Sequence, residues 1–265
     1  MITPEPLAAL DLTGRVVALG VALWSLELLA VRAAFADGGV FAPAVAGSLR
    51  LGAKQSRRPD RWLYPALLVQ LGAGVVVAAA GPMSQVGRFA VLALLIAYVA
   101  ARDRRVLGGD GAEQLAAIVL VAAVLAALPV PSPTRVALAV GFIAAEVGLA
   151  YLTAGVAKAI SPMWRSGAAI PAILATHSHG HPVAAALLAD RPRLSRFVCW
   201  SVIAVESLFP LMLFGPTWLV VATLTAGLAF HAGCAVTMGL NSFPWSFVGS
   251  YPCLLAAIPL ARSLS

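Results

Sequence analysis

Charged side chains are scarce in this sequence. Aspartate, glutamate, lysine and arginine make up 11% of the 265 residues, whereas 61% are hydrophobic and the mean hydropathy is +0.92. Because soluble domains carry close to a quarter charged residues, this composition excludes a soluble globular protein. The apolar runs reach the length of about 20 residues that a helix needs to cross a bilayer, and they lack the polar alternation of barrel strands. We therefore expect an all-α, polytopic transmembrane bundle.

Cysteines and several well-known catalytic motifs are also few or missing. The three cysteines, Cys199, Cys234 and Cys253, lie in or beside apolar runs and form no CxxC pair. This pattern predicts core packing rather than a disulfide framework or a metal site. The sequence contains no P-loop, dinucleotide-binding fingerprint or nucleophile elbow, so it does not indicate nucleotide-dependent or serine-hydrolase chemistry.

The net charge of +7 and the pI near 10 do not indicate nucleic-acid binding. The basic residues cluster in the connections between apolar runs, as membrane topology demands, and no stacking aromatics are interleaved with them. Glu5 and Asp11 precede the first apolar run, so the N-terminus does not look like a cleaved signal peptide. We expect the lipid bilayer, and no nucleic acid, as a partner.

The apolar runs predict about eight spans in one transmembrane domain over residues 1–265. Gly38–Lys54 is mildly apolar and is better explained as an interfacial or re-entrant segment than as a span. No internal repeat is visible, which argues against a transporter built from paired repeats. The predicted spans are Val16–Ala34, Trp62–Ala80, Val86–Ala101, Glu113–Leu128, Arg135–Lys158, Arg196–Phe214, Pro216–Met238 and Phe243–Ala261.

Arginine distribution predicts the orientation of these spans in the cell membrane. Most arginines follow the first, third and fifth runs, whereas only Arg15, Arg88, Arg135 and Arg262 fall on the opposite side. The positive-inside rule makes the arginine-rich side cytoplasmic and places the N-terminus outside.

Lysine is the rarest charged residue, with only Lys54 and Lys158 against sixteen arginines. Arginine stays charged in nearly any site, whereas a lysine in apolar surroundings can lose its proton and act as a base. Lys158 ends the apolar run that carries Glu146. Its position alone favours an amine that reaches the membrane interface, and a role as a base is the alternative.

The stretch from Tyr151 to Gly167, YLTAGVAKAISPMWRSG, resembles a known signature. Its Tyr-x-x-Ala-Gly-x-x-Lys pattern, followed by a tryptophan and a glycine, is similar to the vitamin K-dependent gamma-carboxylase-like transmembrane family, also called the HTTM (horizontally transferred transmembrane) domain. The resemblance is clearest over residues 100–250. Three further pieces resemble the family in the same order: Gly108-Gly109-Asp110, Glu206 to Pro210, and Phe230-His231 followed by Met238-Gly239 and Phe243.

The resemblance implies chemistry that uses a quinol, either menaquinol or vitamin K hydroquinone, and no metal. Lys158 would act as the base that deprotonates the hydroquinone, oxygen would convert the anion to an epoxide, and the strong base so formed would attack an inert carbon. His231 matches the Phe-His position and would hydrogen-bond a ring oxygen, although a lone helical histidine is also often a packing residue. Glu206 would hold protons, or simply pair with His231 or an arginine.

Three further residues are candidates for contact with the cofactor. Tyr151 and Trp164 belong to the signature stretch, and Asp110 belongs to the Gly-Gly-Asp corner. Asp110 is more simply explained as the N-cap of the following helix. Glu27 and Glu146 also lie within predicted spans, and the resemblance assigns them no role.

The segment His177-Ser-His179-Gly-His181-Pro182 has alternate histidines that suggest a metal site. Its glycine and proline favour a loop, and the family pattern does not require these histidines. A solvated polar loop is therefore the preferred interpretation, with metal binding as the alternative.

Three functions are compatible with the sequence. The first is a quinol-oxidising membrane enzyme that modifies a peptide or small molecule, and the second is a non-enzymatic membrane partner in the maturation, export or immunity of a secreted peptide. The third, a transporter, is disfavoured. The large soluble domain of the animal carboxylase is not found in these residues. We therefore do not expect glutamate carboxylation itself, and we expect a partner to supply substrate recognition. The animal carboxylase works from the lumenal side, which conflicts with the predicted orientation and leaves it open.

Overall fold

The computed structural model describes residues 3–35, 39, 63–102, 110–177 and 180–263. All regular secondary structure in these residues is helical, which confirms the predicted all-α class. The predicted interfacial segment Gly38–Lys54 lies outside the described residues apart from Gly39. So do Gly108, Gly109 and His179.

The chain divides into two compact units, Leu7–Ala139 and Val140–Ser265, and Met1–Pro6 groups with the latter. The prediction of one HTTM-like domain over residues 1–265 stays a prediction. The helices around and within the first unit are α1 (Pro6–Ala30), a 3-10 turn (Arg32–Phe35), α2 (Leu63–Ala80), α3 (Gln85–Arg102), α4 (Gly111–Ala127) and the first residues of α5 (Pro133–Ile160).

The second unit contains the rest of α5 and every helix that follows it. Three short helices, α6 (Pro162–Ser166), α7 (Ala169–Leu174) and α8 (Pro182–Ala189), occupy the stretch after α5. The remaining elements are α9 (Pro192–Leu208), a 3-10 turn (Phe209–Leu213), α10 (Thr217–Met238), α11 (Ser242–Phe247), a 3-10 turn (Val248–Ser250) and α12 (Tyr251–Ser263).

Six helical segments among the described residues are long and apolar enough to cross a membrane, so the chain is a multi-pass membrane protein. Two shorter apolar helices, Gln85–Ala101 and Gly111–Ala127, correspond to the third and fourth predicted spans. The six long segments are Pro6–Ala30, Leu63–Ala80, Pro133–Ile160, Pro192–Leu213, Thr217–Met238 and Ser242–Ser263.

The first helix begins ten residues before the predicted start of its span, at Pro6 rather than Val16. Proline suits the first helical position because it lacks the amide hydrogen that would be unpaired there. Asp11 and Arg15 made this stretch look polar, but they form a salt bridge of 2.6 Å across one helical turn. Pairing within the helix thus allows both charges to lie in an otherwise apolar segment.

The four arginines that the sequence predicts on the side with fewer basic residues all donate to backbone carbonyls. Arg15 bonds the Ala78 and Ala79 carbonyls, and Arg88 bonds the last carbonyl of α4, at Ala127, at 3.0 Å. Arg135 donates to Val130, and Arg262 to Gly215 at 2.5 Å. Carbonyls at helix ends lack an intrahelical partner and carry partial negative charge. These arginines therefore satisfy carbonyls at turns and helix ends.

One residue of the histidine-rich segment, His181, caps the helix that follows it. His181 Nδ1 accepts a hydrogen bond from the Ala184 amide at 3.2 Å, which makes this residue the N-cap of α8. The helix that follows, Pro182–Ala189, begins directly after this histidine.

Candidate functional site

Tyr151 and Lys158 organise the candidate site, which lies wholly within the second unit. Both belong to α5 and are seven residues apart, which is two helical turns and about 10 Å along the axis. Residues at this spacing share one face of a helix. Each of the two side chains binds a partner on a different helix.

Lys158 pairs with Glu206 of α9. Lys158 Nζ lies 2.6 Å from Glu206 Oε2, with the side chains 20% and 5% exposed. The ammonium also lies 5.2 Å from the ring centre of Trp164, within range of a cation–π contact. A lysine held by a buried carboxylate and an aromatic ring has specific partners, so its contacts are not those of an amine that only extends to the interface.

The close approach of α5 and α9 explains how Glu206 reaches this position. A Cβ atom on Gly155 would lie 2.5 Å from both the amide nitrogen and the hydroxyl of Ser207, so only glycine fits. The α-helix ends at Leu208 and continues as a 3-10 turn that contains Pro210. Proline cannot donate to the carbonyl of Glu206, and the local distortion expected from this is present.

Tyr151 pairs with His231 of α10. Its hydroxyl lies 2.6 Å from His231 Nε2, and both residues are 2% exposed. The Tyr151 ring stacks on Phe209 at a centroid distance of 3.8 Å and an interplanar angle of 6°. Phe209 follows Glu206 by three residues, so one short stretch of chain contacts both Lys158 and Tyr151.

The other ring nitrogen of His231 is buried without a partner among the described residues. Nδ1 has no hydrogen bond to any of them. Two phenylalanine rings stack on the imidazole, Phe247 at 4.7 Å and Phe243 at 5.8 Å between centroids. A buried polar nitrogen among aromatic rings calls for a hydrogen-bonding molecule, because leaving it unpaired costs about 1–3 kcal/mol.

Tyr251 and Gly227 complete the surroundings of Tyr151. The Tyr251 hydroxyl donates to the Leu224 carbonyl at 3.1 Å. A Cβ on Gly227 would lie 2.4 Å from the Tyr251 hydroxyl and 3.2 Å from that of Tyr151. A side chain at position 227 would therefore displace the Tyr251 hydroxyl.

Cys234 connects the two pairs. It lies one helical turn after His231 on α10 and is partly exposed. Its thiol interacts electrostatically with both Glu206 and Lys158. The Lys158–Glu206 and Tyr151–His231 pairs thus belong to one neighbourhood of α5, α9 and α10.

The structure revises some of the predicted relationships. Glu206 pairs with Lys158, a partner that neither of the two alternatives for Glu206 had named. Tyr151 and Trp164 both contact predicted catalytic residues.

Asp110 lies in the first unit and caps α4. Its Oδ1 accepts a hydrogen bond from the Glu113 amide at 2.8 Å, which confirms the capping interpretation. An additional role for Asp110 in contacting the cofactor stays a prediction.

Sequence reasoning missed five residues of this neighbourhood: Phe209, Gly227, Cys234, Phe247 and Tyr251. Helical spacing gave a signal for some of them, since Gly227 and Cys234 lie four residues before and three residues after His231. Tyr251 comes from a separate helix, and nothing in its local sequence indicates that its hydroxyl lies, like that of Tyr151, beside Gly227.

No protein-family model, curated protein or solved structure matches this chain.

Proposed function

We propose that the protein is a multi-pass enzyme of the cell membrane that couples quinol oxidation or epoxidation to modification of a peptide or small molecule. In this proposal Lys158 is the base, and the chain is a member of the HTTM, gamma-carboxylase-like family that it resembles. The observation that carries the proposal is the 2.6 Å contact between Lys158 Nζ and the buried Glu206 carboxylate.

The pairing gives the lysine a way to become a base without leaving a net charge in the bilayer. One proton can pass from Nζ to Oε2, which leaves a neutral amine and a neutral carboxylic acid. The pair is neutral before and after this step, so the cost of burying an isolated charge never arises. The free amine can then accept a proton from a ligand hydroxyl, and Glu206 holds the first proton.

The second pair supplies the binding features that a quinol ring requires. Phe243 and Phe247 provide flat apolar surfaces beside His231, and Nδ1 is free to bond a ring oxygen. A bound quinol, when oxidised by oxygen, supplies the strong base used on the second substrate. Trp164 and Tyr151 hold Lys158 and His231, respectively, in place.

The proposal includes eight spans with the arginine-rich connections in the cytoplasm. The two shorter apolar helices, Gln85–Ala101 and Gly111–Ala127, each have 17 residues, the lower end of the spanning range, and bring six long segments to eight. Arg15, Arg88, Arg135 and Arg262 are bound to backbone carbonyls. Their presence on the outer side therefore has a structural reason and does not weigh against the positive-inside assignment.

The direct test is whether the protein carries a quinone. Protein purified in mild detergent is extracted, and the extract is analysed by mass spectrometry beside an unrelated multi-pass protein from the same membranes. We expect quinone in molar proportion to the protein and a reduced amount in the variant His231→Ala. If the wild type, the variant and the unrelated protein all contained the same amount of quinone, well below one molecule per protein, the result would favour the alternative function. That alternative is a non-enzymatic membrane partner of a secreted peptide.

A further inference from the structure

The connection between α5 and α9 joins two segments that are each long and apolar enough to cross the membrane. The first of these segments ends at Ile160, and the second begins at Pro192. The helices between them, α6, α7 and α8, have five, six and eight residues, which is too few to cross a bilayer. This connection therefore belongs at one surface of the membrane, at the level of the phospholipid headgroups.

Three arginines gather where the connection meets α9, and we call them the arginine surface: Arg165 of α6, and Arg193 and Arg196 of α9. Arg193 and Arg196 are three residues apart and share one face of the helix. Arg196 Nε donates to the Ser166 carbonyl at 3.4 Å, and Trp200 Nε1 donates to the Arg165 carbonyl at 3.3 Å. Both bonds bring the end of α6 against the first turns of α9, so the three arginines lie close together.

The junction of α6 with α9 is tightly packed, which fixes the place of the arginine surface. Gly167 has a φ of +89°, a conformation that glycine adopts readily. A Cβ atom on it would lie 2.7 Å from the backbone nitrogen and Cα of Arg196. Ser195 is buried, and its hydroxyl donates to the Gly167 carbonyl at 2.5 Å. The two helices are therefore held together by backbone contact and by a buried hydrogen bond.

The arginine surface has no counter-charge among the described residues. All three side chains are exposed, and none of them forms a salt bridge to a residue that the structure describes. The single acidic residue in positions 159–196 of the sequence, Asp190, forms no such pair either. Cations that are held close together repel one another, and an anion between them offsets this repulsion. Guanidinium groups match the oxygens of a phosphate, with two parallel hydrogen bonds from each group.

Apolar side chains adjoin the arginine surface on the side toward the membrane. Trp200 lies one turn after Arg196 and is 46% exposed, and Phe197 is 70% exposed. Because α9 enters the membrane from Pro192, Trp200 lies about 6 Å deeper than Arg196. Tryptophan is typical of the boundary between headgroups and acyl chains. A free phosphate ion would leave these side chains uncovered, whereas the chains of a phospholipid would cover them.

We propose that the arginine surface binds the phosphate of an anionic phospholipid, such as phosphatidylglycerol, whose acyl chains lie against Phe197 and Trp200. A zwitterionic lipid carries a cation beside its phosphate, and three arginines repel that cation. The surface therefore selects headgroups with a net negative charge. This lipid site is independent of the quinol chemistry proposed above.

The test measures lipid binding by native mass spectrometry of the full chain in mild detergent. Phosphatidylglycerol and phosphatidylcholine with the same acyl chains are added separately to the wild type and to the variants Arg165→Gln and Arg196→Gln. We expect the wild type to bind phosphatidylglycerol more tightly. Each variant should lose about fivefold of that affinity, the effect of one arginine near an anionic headgroup, and keep its affinity for phosphatidylcholine. Equal binding of the two lipids by the wild type would overturn the proposal, whatever the variants do.

Arg32 provides the matched control. It is exposed and lies in the first unit, and Arg32→Gln removes the same charge. This variant should bind phosphatidylglycerol as the wild type does. An equal loss in Arg32→Gln and Arg165→Gln would show a general attraction to net charge and would contradict a site.

A competition experiment separates the lipid from free phosphate as the source of the anion. An excess of inorganic phosphate is added beside sodium chloride of equal ionic strength, since salt screens exposed charges. We expect the two salts to weaken the binding of phosphatidylglycerol equally. Displacement by phosphate alone would assign the arginine surface to the free ion and would overturn the lipid site.

Discussion

Lys158 Nζ lies 2.6 Å from Glu206 Oε2, and the two residues come from helices that touch at Gly155. Gly155 lets the two backbones touch one turn before Lys158. This contact places the nearly buried carboxylate of Glu206 beside the lysine. The arrangement converts an isolated cation at the end of an apolar helix into a neutral pair.

The contact at Gly155 should be sensitive to a single methyl group. The variant Gly155→Ala places Cβ 2.5 Å from the Ser207 backbone nitrogen, so α5 and α9 must separate. We expect a loss of about 1–3 kcal/mol in the free energy of unfolding, measured by thermal or denaturant unfolding in detergent. Gly141, on the same helix, has no atom within 4 Å of its Cβ position, so Gly141→Ala should be neutral or stabilising. Equal stability of the two variants would show that the helices do not touch at Gly155.

Removing one charge of the buried pair should cost more than removing both. In Glu206→Gln the ammonium of Lys158 keeps its desolvation cost and loses its counter-charge. The expected destabilisation is about 3 kcal/mol, the low end for a buried pair, because a fifth of the Lys158 side chain is exposed. The double variant Glu206→Leu with Lys158→Met should recover most of that loss. Chemical unfolding of the wild type and the two variants checks the prediction, and a double variant no more stable than Glu206→Gln would contradict a direct pair.

Cys234 reports on occupancy of the site. In a background with Cys199→Ser and Cys253→Ser, both replacing buried thiols, it is the one remaining cysteine of the sequence. We expect a naphthoquinol to slow its alkylation by N-ethylmaleimide several-fold, because His231 lies one turn away. The protection should disappear in His231→Gln. An alkylation rate that does not respond to the quinol would place the ligand elsewhere.

Orientation can be measured with single cysteines placed in a cysteine-free background. Arg104→Cys should react with a membrane-impermeant reagent only from the cytoplasm, and Pro131→Cys only from outside. The two positions flank one predicted span, so each serves as the control for the other. The reversed pattern would overturn the orientation.

The fold was largely predictable because hydrophobicity dominates it. All eight predicted runs coincide with helices over the residues that the structure describes. The predicted boundary failed at Pro6, where the salt bridge between Asp11 and Arg15 allows polar residues into the helix. Run length and composition cannot reveal such local neutralisation.

The site was predictable only as a set of residues, not as a set of pairs. The sequence predicted Lys158, Glu206 and His231 as site residues, because ionisable side chains within membrane spans are costly and therefore indicate a function. Which of them pair depends on the rotation of α9 and α10 about their axes, and this is set by the contacts at Gly155 and Gly227. A glycine in the sequence permits a close contact between helices, but it does not indicate which helix is the partner.

The central claim is that Lys158 gives up a proton, and the variant Lys158→Arg tests it most directly. Arginine keeps the positive charge that Glu206 pairs with, so folding and stability should change little, but its guanidinium cannot act as a base. The matched control is Lys54→Arg, at the one other lysine of the chain. The measurement is quinol oxidation in reconstituted vesicles, beside the thermal midpoint of each variant. We predict a loss of about a hundredfold or more in Lys158→Arg at an unchanged midpoint, and full activity in Lys54→Arg. Full activity in Lys158→Arg would contradict the account.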